Sequence, residues 1–331
     1  MAVGRLAPAA GGIRVTHEWA PLREVVVGRP FYRIAEPFPE TLRRGIGGEA
    51  WQRIKDAEGR TLARAFPQLQ ARLHEHMAAA VMLLRQRGIK VHVMPAFRRA
   101  EEPDAASGGV GALQCFPRDL LLVVDDHLIE LTLAERYRRR ELFPLRRLLD
   151  AVLDGRAVRR SRMAQTIARR ELPYGSPLLE GGDCLVLERE VLVGVSGRAS
   201  NKTGIRWLRQ RLGRGWRVTP VRLAAEVPHL DMALCLIRPG LGIRWPWALP
   251  DGLPASLRGW RWIDVNRHEA LCQLAANCLP LDARTVLVPA EAGRVAGALA
   301  QHGQEVLVTP FAGVAWLHGG LRCWSQPLVR A

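Results

Sequence analysis

Short apolar runs recur in pairs along this sequence, and each pair is followed by an amphipathic stretch and a further apolar run. Residues 120–124 and 127–131 are the first clear pair, split by Asp125-Asp126, which predicts two strands joined by a tight turn. Residues 135–153 then read as a basic amphipathic helix. The pattern returns at 184–187 and 191–195, around Glu188-Arg189-Glu190. A helix over 201–212, where Ile205, Leu208 and Leu212 recur at helical spacing, and a strand over 216–223 complete that unit. A third pair spans 229–243 and breaks at Pro239-Gly240; a short helix near 254–257 and a strand over 260–265 follow. A fourth lies within 274–289, split by Asp282-Ala283-Arg284, ahead of a helix at 292–302 and a strand at 305–308. At the front, 22–28 reads as strand, 62–87 as one long helix and 90–94 as strand. The tail, 314–329, reads as strands with no helix after them.

Strand–strand–helix–strand thus occurs about five times, the last half-unit closing on the first. Repetition of one supersecondary unit predicts a radial or solenoid α/β architecture. A two-domain α/β protein without symmetry is the competing arrangement. Polar residues at one point of each unit favour the ring. Asp119, Glu180, His229 with Asp231, Asn277 and Cys323 each stand just before or at the start of a unit's first strand, at separations of 61, 49, 48 and 46 residues. In a ring, equivalent positions face a common axis, so two carboxylates, a His-x-Asp and a Cys would meet in one cavity.

Such a set suits nucleophilic chemistry. Cys323 follows Gly319-Gly320, where the backbone can approach a ligand closely, and a Cys with a His is the smallest arrangement for thiolate attack with proton transfer. Glu180 can accept a hydrogen bond from the imidazole of His229 and fix its orientation; the alternative is a turn carboxylate beside Gly181-Gly182, a role that suits Asp183 better. Asp119 and Asp231, with no cluster of metal-ligating histidines, suggest a cationic substrate group, best a planar guanidinium held by forked, charge-assisted hydrogen bonds. One His and scattered carboxylates make a poor transition-metal set.

Charge adds less than it promises. The 331 residues carry 48 Lys+Arg against 32 Asp+Glu, a net +16, and the excess is arginine because only Lys55, Lys90 and Lys202 are lysines. Arginines cluster at 136–140, 156–162 and 169–170. With 6% aromatic residues and no recognition motif beside the clusters, a nucleic-acid partner is not expected. No apolar run is long enough to span a membrane, and residues 1–14 lack the apolar segment of a signal peptide. Six cysteines (115, 184, 235, 272, 278, 323) without paired spacing suit reduced thiols in a cytoplasmic protein.

These residues resemble the guanidine-modifying superfamily, specifically its amidinotransferases, which share a five-bladed α/β-propeller, the pentein fold. The stretch from His17-Glu18-Trp19-Ala20-Pro21-Leu22 to Val27-Gly28 is similar to the family's opening motif. Pro117-Arg118-Asp119 followed by Leu128-Ile129-Glu130, then Glu180-Gly181-Gly182-Asp183, His229-Leu230-Asp231 and Cys323-Trp324, come in the family's order. The resemblance implies one pentein catalytic domain over 1–331, with 1–14 a flexible N-terminus. It makes Cys323 the nucleophile, His229 the general acid/base and Glu180 the acid that orients it. Asp119 and Asp231 bind the guanidinium, with Arg118 and Asn277 in the substrate-binding set. It further implies ping-pong transfer from a guanidino donor, arginine, to an amine acceptor, with no cofactor or metal.

Departures from the pattern leave a second reading. Glu180 stands where amidinotransferases usually carry Asp; Glu there is more like the arginine deiminases and dimethylarginine hydrolases, and the tail from Arg322 to Arg330 blends both styles. Ala248 falls where a carboxylate-binding Arg is expected, with Arg238 and Arg244 nearby but unmatched, and Ala270 and Leu271 replace a Ser pair. An amidinohydrolase using water as second nucleophile is therefore the alternative. A non-catalytic basic binding protein on this scaffold is argued against by the retained Cys, His and Asp residues. A homo-oligomer stays open, as does an acidic carrier or peptide partner guided by the 136–140 arginines.

Overall fold

The computed structural model of the chain describes residues 12–38, 48–102, 110–163 and 172–331. The 169–170 arginine pair and residues 1–11 lie outside them. Among the described residues, five sheets repeat one topology. Leu121–Val124, His127–Glu130 and Arg159–Arg162 form one; Cys184–Leu187, Glu190–Val195 and Arg217–Arg222 the next. Leu234–Arg238, Leu241–Arg244 and Arg261–Asp264 form the third, and Leu279–Pro280, Thr285–Pro289 and Glu305–Thr309 the fourth. In each, the first two strands are antiparallel and the third runs parallel to the second. The fifth sheet joins the chain's two ends: Ser325–Arg330 lies antiparallel to Leu22–Val27, which pairs in parallel with Lys90–Val93. First strands such as Leu121–Val124 and Cys184–Leu187 are buried on both faces, hence their unbroken apolar runs.

A parallel third strand needs a crossover, and helices provide it in four sheets: Pro67–Gln86, Leu142–Val152, Lys202–Leu212 and Gly293–Gln301. In the remaining sheet two short turns of 3₁₀ helix, Pro246–Ala248 and Ala255–Leu257, replace it, and Trp245, Leu249 and Leu257 fill the space.

Several expectations need correction. The tail is not continuous strand: Ala312–Ala315 and Leu321–Trp324 are helical turns, and only Ser325–Arg330 is extended. The long front helix breaks at Phe66, because Pro67 starts a new helix and disfavours helical backbone in the residue before it. The 135–153 helix is 3₁₀ over Arg136–Glu141 and α-helical only from Leu142, where Pro144 falls in the first turn and its missing N–H costs nothing. The flexible N-terminus does not extend to residue 14, since Ile13 is buried and Arg14–Val15 pairs with Val329 and Arg330. A sixth, two-stranded sheet of Tyr32–Glu36 and Val110–Leu113 and a helix at Gly48–Lys55 were not anticipated. The six cysteines are unbonded, and no described helix is long and apolar enough to cross a membrane.

The part of the fold that matters for function is at the heads of the first strands. Each of four is preceded by a one-turn helix: Pro117–Leu120, Gly181–Asp183, Leu230–Met232 and Leu321–Trp324. The last packs on the first, the first on the second and the second on the third. Asn277 heads the remaining sheet; its side chain donates to the Asp231 carbonyl (3.0 Å) and its own carbonyl accepts from the Arg322 N–H (3.2 Å), which completes the circuit.

Candidate active site

Cys323 lies in the Leu321–Trp324 turn and is 3% exposed. Gly320 caps that turn where a Cβ would come within 2.7 Å of Asn277 Oδ1, so only glycine lets the turn press against Asn277. The contact is used fully. Asn277 Oδ1 accepts from the N–H groups of Arg322 and Cys323 (both 3.0 Å), while its Nδ2 donates to Cys323 Sγ at 3.1 Å. Asn277, expected to touch substrate, spends its amide inside the protein and fixes the thiol instead. On its other side Cys323 Sγ lies 3.4 Å from Asp231 Oδ2.

Asp231 is fully buried, and its Oδ2 also accepts from Arg322 at 3.0 Å. Arg322, 1% exposed, donates its remaining guanidinium N–H groups to both oxygens of Glu18 (3.0 and 3.1 Å) and to the Cys184 carbonyl (2.7 Å). Burial works against the Glu18 carboxylate, but Arg322 and Arg118 outweigh it and draw its pKa down to about 2. Asp231 Oδ1 has no hydrogen-bond partner.

The second half of the site is built on the Pro117–Leu120 and Gly181–Asp183 turns. Asp119 Oδ2 accepts from Arg138 at 2.8 Å, and Arg138 also donates to Glu141 and the Phe116 carbonyl. Asp119 Oδ1, like Asp231 Oδ1, is buried without a hydrogen-bond partner; it faces His229 Nδ1 at 3.7 Å. The other imidazole nitrogen, Nε2, meets Glu180 Oε2 at 2.8 Å, and Glu180 Oε1 accepts from the Ala134 N–H. Gly182 makes room for this: a Cβ there would come 2.7 Å from His229 Nδ1 and 2.8 Å from Asp119 Oδ1. Asp183 has the structural role anticipated, accepting from the N–H groups of Ser200 and Leu230.

Electrostatics sets the resting protonation states. Burial disfavours a charged imidazole, but Asp119 and Glu180 outweigh it and hold His229 protonated well above the usual histidine range. Burial, Asp231 and Asp119 push the Cys323 thiol well above its ordinary value. The resting site therefore pairs an imidazolium with a neutral thiol. Asp119, Glu180 and His229 place ligand atoms within 4.8 Å of one another. Both imidazole nitrogens already face these carboxylates, Nδ1 on Asp119 and Nε2 on Glu180, so the set is paired internally.

Two site arginines were not anticipated, Arg322 and Arg138. Arg138 belongs to the 136–140 run expected to form an exposed guiding patch. Arg138 and Arg139 are each only 6% exposed, and their guanidinium groups point into carboxylates and carbonyls. That expectation is corrected: the run is largely internal wiring. Arg118 is buried, donating its Nε to the Arg322 carbonyl (3.3 Å) and leaving Nη2 without a hydrogen-bond partner.

Comparison with known proteins places this geometry. Residues 54–235 match the family model of the eukaryotic N,N dimethylarginine dimethylhydrolases. Over 93% of the chain, the protein is 29% identical to a putative inosamine-phosphate amidinotransferase of Streptomyces griseus, covering 94% of it. It is 24% identical to an L-arginine:L-lysine amidinotransferase of Pseudomonas savastanoi pv. phaseolicola, over 95% of the chain and 93% of that protein. The chain belongs to the amidinotransferase family of the guanidine-modifying superfamily. The mixed α/β fold agrees: the solved inosamine-phosphate amidinotransferase of Streptomyces griseus superposes with a TM-score of 0.82 at 21% identity, over 96% of this chain and 97% of that one.

Proposed function

We propose that this protein moves an amidino group from L-arginine to an amine acceptor through a covalent adduct on Cys323. The observation that carries the reading is the pair of buried, partnerless carboxylate oxygens, Asp119 Oδ1 and Asp231 Oδ1, one beside His229 and the other on the carboxylate next to Cys323 Sγ. Buried carboxylate oxygens left without donors are costly unless a ligand supplies them. A guanidinium supplies planar N–H donors and positive charge together. Its arrival offsets the charges that keep the thiol protonated, so the proton leaves to solvent and the thiolate forms next to its target.

The thiolate then attacks the guanidino carbon and forms a C–S bond. The C–N bond to the departing amine breaks, and His229 gives that nitrogen a proton, releasing ornithine. The neutral imidazole, oriented by Glu180, next takes a proton from the acceptor amine as it attacks the amidino carbon. The C–S bond breaks and the thiolate is regenerated. Asn277 is a positioning residue for the sulfur. The five sheets are the blades of a closed pentein ring forming one catalytic domain, with the circuit of turns lining its axis. Unbonded thiols support a cytoplasmic location. Arginine as donor is supported by the name of the Pseudomonas relative.

Hydrolysis is the second reading, supported by the dimethylarginine-hydrolase match and by Glu180. Incubating the protein with arginine, with and without a panel of primary amines, separates the two. Ornithine and a new guanidino compound that depend on the amine support transfer, whereas citrulline formed without amine makes the protein a hydrolase. Turnover of neither kind overturns arginine as the donor.

A further inference from the structure

One part of the surface has a charge imbalance that the active site does not use. Between Glu190 and Glu226 the sequence contains no carboxylate but eight cations: Arg198, Lys202, Arg206, Arg209, Arg211, Arg214, Arg217 and Arg222. The helix Lys202–Leu212 runs through this segment, burying Ile205, Leu208 and Leu212 and exposing Lys202, Arg206, Arg209 and Arg211. Arg217 and Arg222 meet Glu190 and Asp251, but Lys202, Arg206, Arg211 and Arg214 pair with no carboxylate among the described residues. Burying Leu208 and its neighbours explains the helix, and Arg209 holds the Val218 carbonyl (2.7 and 3.0 Å); no described carboxylate offsets Lys202, Arg206, Arg211 and Arg214, like charges that repel one another.

We propose that the exposed face of the Lys202–Leu212 helix, with Arg214, docks an acidic helical segment of a partner protein. Dimensions and surroundings favour that occupant over nucleic acid. The uncompensated strip is one helix of about 16 Å, the width and length of a single helical partner. Near the strip, where Arg159 and Arg211 both act on His127, the strand Arg159–Arg162 carries three more arginines, but these are paired with Asp126, Asp150 and Glu130, carboxylates that would repel a phosphate backbone continuing in that direction. The strip's two tryptophans offer no bare face for a base, since Arg211 covers Trp207 (5.2 Å) and Arg189 covers Trp216 (6.0 Å). Carboxylates recurring each turn along an acidic helix match cations recurring each turn along this one.

The strip starts at the site. Asn201 caps the helix, and the preceding Ser200 accepts from the Glu180 N–H (3.0 Å) and donates its own N–H to Asp183. A partner lying along the helix has one end at the blade that orients His229. If the transfer reading holds, that end is where a carrier would present its amine; docking itself does not depend on the chemistry at Cys323.

Binding of a fluorescent glutamate-rich helical peptide tests this directly, against single-stranded DNA of equal charge. The comparison sets Arg206→Glu/Arg211→Glu/Arg214→Glu beside Arg258→Glu/Arg261→Glu/Arg267→Glu, which makes the same charge change among exposed residues elsewhere. The helix variant should lose about tenfold or more in peptide affinity, with a reduced salt dependence, and the control should lose far less. Equal losses would reduce the effect to overall charge and overturn the proposal. Helix-dependent binding of DNA in preference to the peptide would also overturn it, in favour of nucleic acid. Should charge reversal unfold the helix, Arg206→Gln/Arg211→Gln/Arg214→Gln must show the same ordering. Thermal melting by circular dichroism reports folding of each variant without relying on catalysis.

Discussion

The two carboxylates of the site are built by the same device with different backing. Asp119 and Asp231 each give one oxygen to a buried arginine, Arg138 or Arg322, and keep the other without a donor. Each arginine is shared with a second acid, Glu141 or Glu18. The backing differs in how firmly that acid is ionised. Burial pushes Glu141 up to about 7 despite Arg138, whereas Arg322 and Arg118 draw Glu18 down to about 2 against the same effect of burial. The acid behind Asp119 can take up a proton near neutrality; the acid behind Asp231 stays ionised. The half that holds Cys323 therefore has the fixed backing, and the half that holds His229 the adjustable one.

Losing either carboxylate, Asp119 or Asp231, tests the pairing most severely. Asp231→Asn and Asp119→Asn should each lower kcat/KM by roughly a hundredfold or more, the range for removing one preorganised charge contact. Asp231→Asn should be the worse, because it also changes the group beside Cys323 Sγ. Equal losses would remove the distinction between the two halves. Stability should follow the backing. Arg322→Met strands the ionised Glu18 and takes the arginine from Asp231 Oδ2, and should cost about 3–5 kcal/mol in denaturant unfolding, the usual penalty for breaking a buried pair. Arg138→Met should cost clearly less near pH 7, because Glu141 can take up a proton.

Asn277→Ala isolates the positioning of the sulfur. Its kcat should fall while KM stays near the parent value, because the amide faces Cys323 and backbone rather than substrate. A raised KM with kcat unchanged would return Asn277 to substrate binding. The smallest effect lies away from the site, at His127. This imidazole is 1% exposed, with Nε2 on Ser161 Oγ at 2.8 Å, and burial reinforced by Arg159 and Arg211 lowers its pKa to about 4. A depressed folded-state pKa means the unfolded chain binds the proton more readily. The stability His127 contributes should be intact above about 6.5 and drain away as pH falls towards about 4. His127→Gln should flatten that portion of the unfolding-versus-pH curve.

Much of this was legible in the residues because the repeat leaves a local mark. Each first strand is a short apolar run with a polar residue at its head, and Asp119, Glu180, His229, Asp231, Asn277 and Cys323 could be aligned without knowing any contact. The partners of those residues left no such mark. Arg138 sits in a run of arginines that looks like ordinary solvated surface, and its side chain reaches Asp119 from the 3₁₀ turn Arg136–Glu141. Arg322 did leave a signal, a lone cation between Leu321 and Cys323 in an otherwise apolar and glycine-rich stretch. Its two acids, though, are 91 and 304 residues away in sequence. The Tyr32–Glu36 and Val110–Leu113 pairing was hidden for the same reason: both strands are short, and the register that joins them is long-range.

On the proposed mechanism Cys323 carries the amidino group between two half-reactions. Intact-mass analysis of the protein after incubation with arginine alone, followed by peptide mapping, reads this carrier state. The expected result is a gain equal to one amidino group on Cys323, with one ornithine released per site, and its disappearance when an acceptor amine is added. No adduct in the parent protein, or the same adduct in Cys323→Ser, would contradict it.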